Sequence, residues 1–98
     1  MSILKELQAW YASQCDGDWE HRYGVSIETS DNPGWYVRIN LLDTELEGVP
    51  FSDVADVERE DDWLHLHVRD GEFQGSGDPS KLEVILQVFL DWARSRAA

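Results

Sequence analysis

Two runs of alternating apolar and polar residues, separated by a short turn sequence, constrain the fold of this chain more than any other feature. Residues 22–30 form the first run and residues 35–42 form the second. An alternation with a period of two residues is typical of a half-buried strand. Between the runs, Pro33 restricts φ and Gly34 is expected to supply a positive φ, which is strong turn chemistry. The pattern therefore predicts an antiparallel hairpin.

The first and last segments of the chain have the apolar periodicity of helices. Apolar residues recur at the helical period over 3–11, which predicts a first helix that ends near Gln14. A wider apolar face over 82–93 predicts a final helix. Asp78 and Ser80 are the alternative N-caps of that helix, because both side chains can accept a hydrogen bond from a free backbone N–H.

Three further strands are expected between the hairpin and the final helix. They lie near 54–59, over 63–69 and over 72–76, and an Asp-Gly pair at 70–71 suits a tight turn between the last two. The fold class is therefore predicted to be α+β. We expect an antiparallel meander of four to five strands, with an N-terminal and a C-terminal helix packed on one face and the other face partly open.

Size and charge restrict the functions that are open to the chain. Its 98 residues suit a single domain spanning residues 1–98. Twenty acidic residues against eight basic ones give a formal net charge of −12. This charge disfavours direct binding of nucleic acid, which depends on Lys and Arg neutralising phosphates. It favours a basic protein partner and fast, salt-sensitive association.

Cysteine use and hydropathy indicate the compartment. A single cysteine cannot form an internal disulfide. No apolar run approaches the ~20 residues of a membrane span, and no charged-then-apolar leader is evident. We therefore expect a soluble cytoplasmic protein, whose oligomeric state the sequence leaves open.

Negative charge is concentrated in residues 43–62. This stretch, called the acidic stretch below, holds nine acidic residues and one basic residue, interleaved with apolar ones. The apolar residues argue against a disordered tail. Two interpretations stay open, a solvated surface and a docking surface for a cationic partner, because like charges held together repel one another. The acidic residues are Asp43, Glu45, Glu47, Asp53, Asp56, Glu58, Glu60, Asp61 and Asp62.

The strand predicted over 63–69 places a polar and aromatic set on the outer face of the sheet. Its two histidines, at positions i and i+2, have a spacing that can chelate zinc or copper if His21 or a neighbouring acid supplies a further ligand. The alternative is a polar outer face without metal, whose side chains can still contact a partner. The outer set is Trp63, His65, His67 and Arg69.

Residues 10–21, which lead from the first helix to the hairpin, contain the only cysteine and two of the five tryptophans. Cys15 with His21 suggests a thiol nucleophile and base, but no motif spacing supports it. Alternating acids from Asp16 suggest a calcium loop, yet the sixth position, His21, is not the required glycine. A turn packed by Trp10 and Trp19 accounts better for the segment. No other catalytic motif occurs, so we predict a non-enzyme without a cofactor.

Three strings stand out in the first forty residues, namely residues 10–21, Tyr23-Gly24-Val25 and Asp31-Asn32-Pro33-Gly34-Trp35. They resemble the signature of the immunity protein fifty-three family, small antidotes of bacterial polymorphic toxin systems. The similarity extends over nearly the whole chain. It implies a cytoplasmic protein that binds and neutralises a cognate toxin. It carries over no toxin-contact residues.

The residue pattern and the resemblance together favour an immunity protein that occludes its toxin through the acidic stretch and the adjacent Trp63, His65 and His67. A nuclease is one toxin class that fits, because nucleases are often basic in order to hold phosphates. Two other classes stay open, namely a small metal- or ligand-binding module built on His65 and His67, and a general protein-interaction adaptor.

Overall fold

The computed structural model describes residues 2–97 as three helices and one five-stranded antiparallel sheet. The helices are α1 (Ile3–Gln14), α2 (Trp19–Arg22) and α3 (Leu82–Ala97). The strands are β1 (Val25–Ser30), β2 (Gly34–Asn40), β3 (Val54–Arg59), β4 (Asp62–Arg69) and β5 (Glu72–Gly77). The predicted α+β class is confirmed, as are the hairpin and the first and last helices. The one-turn α2 was not expected from the sequence.

The strand order departs from a simple meander. Across the sheet the order is β1-β2-β5-β4-β3. The prediction of a meander through all the strands is therefore wrong at one point, because β5 lies between β2 and β4. The connection from β2 to β3, residues 41–53, runs past β5 and β4 at one end of the sheet. Its leucines Leu41 and Leu46 are buried in the core, and this anchoring carries β3 to the far edge.

Both long helices pack on the same face of the sheet, where the hydrophobic core lies. Helix α3 approaches β5 closely because Gly75 has no side chain: a Cβ there would lie 2.7 Å from Ile85 Cγ2. No helix within residues 2–97 combines the length and the apolar character needed to cross a membrane. The buried core consists of Leu7, Val37, Ile39, Leu41, Leu46, Leu64, Leu66, Phe73, Ile85, Leu86, Phe89, Leu90 and Ala93.

The close approach of strands, rather than turn geometry, explains the glycine that ends the β1–β2 turn. We expected a positive φ at Gly34, but that expectation is wrong: in the described chain the positive-φ glycines are Gly17, Gly48 and Gly71. A Cβ on Gly34 would lie 2.3 Å from the carbonyl oxygen of Gly77 in β5. Only glycine therefore lets β2 and β5 pair at this position.

The junction between α1 and the hairpin is built around Trp19, as the sequence predicts. Trp19 is 3% exposed, and its ring lies 6.2 Å from that of Trp10 in an edge-to-face arrangement. Its indole N–H donates to the carbonyl oxygen of Leu42 at 2.9 Å. Asp16 accepts from the backbone N–H groups of Trp19 and Asp18, and these hydrogen bonds lower the pKa of Asp16. The segment between α1 and β1 therefore stabilises the fold at this junction.

Candidate partner-binding site

The fold divides the acidic stretch into two groups of carboxylates with different surroundings. The first group, Asp43, Glu45 and Glu47, lies in the connection that follows β2. The second group lies on β3 and next to it, from residue 53 to residue 62. Strands β5 and β4 lie between β2 and β3. The strand that precedes the first group and the strand that carries the second group are therefore roughly 14 Å apart.

Two of the three carboxylates of the first group, those of Glu45 and Glu47, are bound by the protein itself. The carboxylate of Asp43 is exposed and has no hydrogen bond or ion pair within residues 2–97. Glu45 accepts hydrogen bonds from Trp10 Nε1 at 3.3 Å and from Gln14 Nε2 at 2.8 Å, which join the connection to α1. Glu47 Oε1 accepts from the backbone N–H of Asp43 at 2.7 Å, where φ is 63°. Reversing the charge at Glu45 or Glu47 would therefore disturb the fold as well as the surface.

Most carboxylates of the second group are free. Four of them are exposed and make no hydrogen bond or ion pair with the part of the chain that the structure describes. The other two are paired, Asp61 with Arg59 at 3.2 Å and Asp62 with Lys81 at 2.7 Å. The four free carboxylates are called the acidic edge below. They are Asp53, Asp56, Glu58 and Glu60.

A buried carboxylate behind the start of β4 fixes the neighbouring tryptophan. Asp78 is 1% exposed, and its Oδ2 accepts from Lys81 Nζ at 2.7 Å and from the backbone N–H of Trp63 at 2.9 Å. The hydrogen bonds from Lys81, then from Ser80 and Trp63, hold the pKa of Asp78 well below its usual range. Because α3 begins at Leu82, neither Asp78 nor Ser80 is its N-cap, and that prediction is wrong. Asp78 instead ties β4 to the turn before α3.

The sheet face opposite the helices carries the predicted outer residues of β4. The inward leucines of this strand are buried, which places Trp63, His65 and His67 on the open face. The rings of Trp63 and His65 lie 5.8 Å apart. His67 Nε2 lies 2.7 Å from Gln74 Oε1 on the neighbouring β5, so this imidazole is already engaged. The open face is therefore an aromatic and polar surface that adjoins the acidic edge.

Three further residues on the open face, Val57, Tyr36 and Arg38, were not included in the predicted site. Val57 of β3 lies opposite Trp63 in the register and is 62% exposed. It is therefore an exposed apolar side chain at the acidic edge. Arg38 lies over the ring of Tyr36 and pairs with Glu28 at 3.2 Å. The period of two along β2 and β3 was the signal that could have identified them. A cleft of about 390 Å³ lies between Tyr36 and Trp63.

The remaining candidates for chemistry lie elsewhere in the fold. His21 is on α2, whereas His65 and His67 are on β4. Among residues 2–97, no three His, Cys, Asp or Glu side chains are grouped so that they could hold a metal ion. Cys15 is the C-cap of α1, and its thiol donates to the carbonyl oxygen of Tyr11, with a sulfur-to-oxygen distance of 3.4 Å.

An apolar groove on the helix side of the sheet is a second exposed region. It has a volume of about 710 Å³ and lies between the N-terminal ends of α1 and α3. Leu4, which is 62% exposed, lines it together with Leu82 and Leu86. This groove is useful as a control region, because it is apolar and the acidic edge is charged.

The fold and the surface define a small α+β protein that presents one open sheet face with an acidic edge. The family model for Immunity protein 53 matches residues 4–94, and the chain belongs to that family. Family membership supports an immunity role and implies a cognate toxin as partner. No match was found among curated proteins or among solved structures.

Proposed function

We propose that this chain is an immunity protein that neutralises a cognate toxin by binding it, without catalysing a reaction. The support for this role is the family match over residues 4–94. A bacterium that makes a toxin needs the antidote in the compartment where the toxin is made. The proposal therefore places the protein in the cytoplasm.

The toxin-binding surface in this proposal is the acidic edge together with the adjoining open face. The observation that carries it is the acidic edge, whose four exposed carboxylates make no ion pair within residues 2–97 and lie on or next to the edge strand that holds Val57, opposite Trp63. Charges held together cost self-repulsion in the free protein, and a cationic partner removes that cost. Val57 and Trp63 add apolar area, and aromatic side chains are common anchors of interfaces.

The toxin in this proposal is basic. A net charge of −12 speeds the encounter with an oppositely charged partner. A nuclease domain is one class with suitable charge, because it must hold phosphates through cationic side chains. The immunity protein itself binds the toxin and not the nucleic acid.

Coexpression tests the neutralising role. The cognate toxin domain is induced in bacteria with and without the chain, and growth is followed together with complex formation by size-exclusion chromatography. We expect growth arrest without the chain, and growth with a stable complex when it is present. Equal toxicity in both strains, with the chain soluble and folded, would overturn the proposed function.

Charge reversal in the same experiment tests the surface. Asp56→Lys with Glu58→Lys alters the acidic edge, and Asp18→Lys with Asp31→Lys changes the net charge equally at exposed sites on other elements. The first pair is expected to slow toxin association by about tenfold and to weaken its salt dependence, and the second pair to do so much less. Equal effects of both pairs would show that association depends only on the long-range attraction set by net charge, and the acidic edge would then not be the binding surface. An effect of Leu4→Ser instead would place the toxin in the apolar groove.

A further inference from the structure

The backbone at the edge of the sheet indicates how the acidic edge engages a partner. Strand β3 pairs with β4, and within residues 2–97 no strand pairs with its other side. Trp63 shows which way the backbone groups of β4 point. Its N–H donates to Asp78 Oδ2 at 2.9 Å and its carbonyl oxygen accepts from the N–H of Asp78 at 3.2 Å. Because Asp78 directly follows β5, both groups of Trp63 point away from β3.

The register then sets the direction of each backbone group in β3. In an antiparallel pair, successive residues direct their N–H and C=O groups to opposite sides of the strand. Leu64, the residue after Trp63, therefore directs its groups to β3, where its partner is Asp56. Ala55 and Val57, on either side of Asp56, direct their N–H and C=O groups to the open edge. These groups are available to a strand placed beside β3.

We propose that a β-strand of the toxin pairs with β3 along Ala55–Val57 and extends the sheet to a sixth strand. This inference rests on the proposed function and specifies the mode of binding at the same surface. Pairing with an exposed sheet edge is an established form of recognition, in which backbone hydrogen bonds give affinity and alternate side chains give specificity.

The side chains of β3 specify the chemistry of the added strand. Val57, exposed opposite Trp63, projects onto the open face. Asp56 lies opposite the buried Leu64 and so projects to the helix side. The complementary strand therefore has an apolar residue that packs beside Val57 and a basic residue that pairs with Asp56. An alternating basic and apolar strand meets both requirements.

Charge at the edge selects a basic strand over a second copy of this chain. A second copy would bring the same four carboxylates against the acidic edge, and like charges across a strand pair are destabilising. The opposite edge of the sheet, β1, lacks this protection: its only charged residue, Glu28, is paired with Arg38. The bulge between Val57 and Arg59 further limits pairing at β3 to the segment before it.

Amide hydrogen exchange in the complex tests the inference without a mutation. The chain is labelled with nitrogen-15 and exchange is followed by NMR, alone and bound to the cognate toxin domain. We expect exchange at Ala55 and Val57 to slow about tenfold or more on binding. Asp56 serves as the internal reference, because its N–H already bonds to β4. The amides of β1 serve as the control edge.

A proline substitution provides the matched functional test. Ala55→Pro removes an N–H that faces the open edge, a place where strands tolerate proline. Ala55→Val retains the N–H. We expect Ala55→Pro to weaken toxin binding about tenfold with little loss of melting temperature, and Ala55→Val to bind nearly as wild type.

The outcomes separate this inference from the proposed function. If a complex forms but Ala55 and Val57 exchange as freely as in the unbound chain, strand pairing is wrong while the immunity role stands. If these amides become protected in the chain alone as its concentration rises, a second copy occupies the edge and the inference is overturned. If no complex forms, the proposed function fails and this inference with it.

Discussion

Glu45 and Glu58 belong to the same acidic stretch, yet the fold places them in different surroundings. Glu45 accepts hydrogen bonds from Trp10 and Gln14 and so holds the β2–β3 connection to α1. Glu58 is exposed on an edge strand and has no hydrogen bond or ion pair in the described chain. Charge density along a sequence therefore does not separate carboxylates that build the fold from carboxylates that are free to meet a partner.

Two tryptophans show the same division, and replacing them gives the largest expected effect. Trp19 is buried and bonds to the carbonyl oxygen of Leu42, just before the first group of carboxylates. Trp19→Ala should lower the free energy of unfolding by ~3–5 kcal/mol, the cost typical of losing a buried large aromatic side chain. Urea denaturation measures this loss. Toxin affinity of the folded variant should stay close to that of wild type.

The half-buried Trp63 is the matched control for this experiment. Trp63→Ala should cost less stability than Trp19→Ala and should weaken toxin binding, because its ring lies on the open face. If the two variants lost stability and affinity in the same proportion, the division between a structural and a partner-facing tryptophan would be broken.

Asp78 is the extreme case of a carboxylate that its own chain binds. Asp78→Asn keeps the shape of the side chain but loses the ion pair with Lys81. We expect its melting temperature at neutral pH to fall by roughly 10 °C. Thermal unfolding followed by circular dichroism measures the change. Asp31→Asn, at an exposed turn position, serves as the control and should melt within a few degrees of wild type.

The lowered pKa of Asp78 predicts a specific dependence on pH. In the unfolded chain an aspartate titrates near ~3.9, so the unfolded state binds the proton more readily than the folded state. The stabilising contribution is present above that pH and is lost as the pH falls below it. Asp78→Asn should therefore show a shallower fall of melting temperature below about pH 4 than wild type. A parallel fall in both proteins would assign the acid sensitivity to other carboxylates, such as Asp16.

Features with a local cause were predictable from the sequence. The helices over 3–14 and 82–97, the hairpin, and the alternation of β4 each follow from a periodic pattern within a few residues. The burial of Trp19 was also predictable, because a helix-to-strand turn that is rich in aromatic residues needs packing. The alternation of β4 predicted that His65 and His67 face outward, and this position is observed.

Features with a distant cause were not predictable from the sequence. The position of β5 beside β2 depends on the approach of Gly34 to Gly77, which no local pattern reports. Asp78 has the sequence context of a helix cap, but it also accepts a hydrogen bond from the backbone N–H of Trp63, fifteen residues away. Glu45 is bound by residues of α1 that are 31 and 35 positions away. The division of the acidic stretch is therefore a property of the tertiary fold.

The smallest expected effect tests that division most directly. Glu45→Ala should lower the free energy of unfolding by about 1 kcal/mol, because it removes hydrogen bonds to Trp10 and Gln14 at an exposed site. Glu58→Ala should change it by less than about 0.5 kcal/mol, since no contact is lost. For toxin association the order is reversed, and only Glu58→Ala should slow it. Chemical denaturation measures the free energy of unfolding of both variants, and stopped-flow mixing measures their rates of toxin association. Glu60→Ala is included as a second variant at a free carboxylate. Equal stability losses at Glu45 and Glu58 would mean that the hydrogen bonds of Glu45 contribute nothing, and the two groups would then differ in position alone.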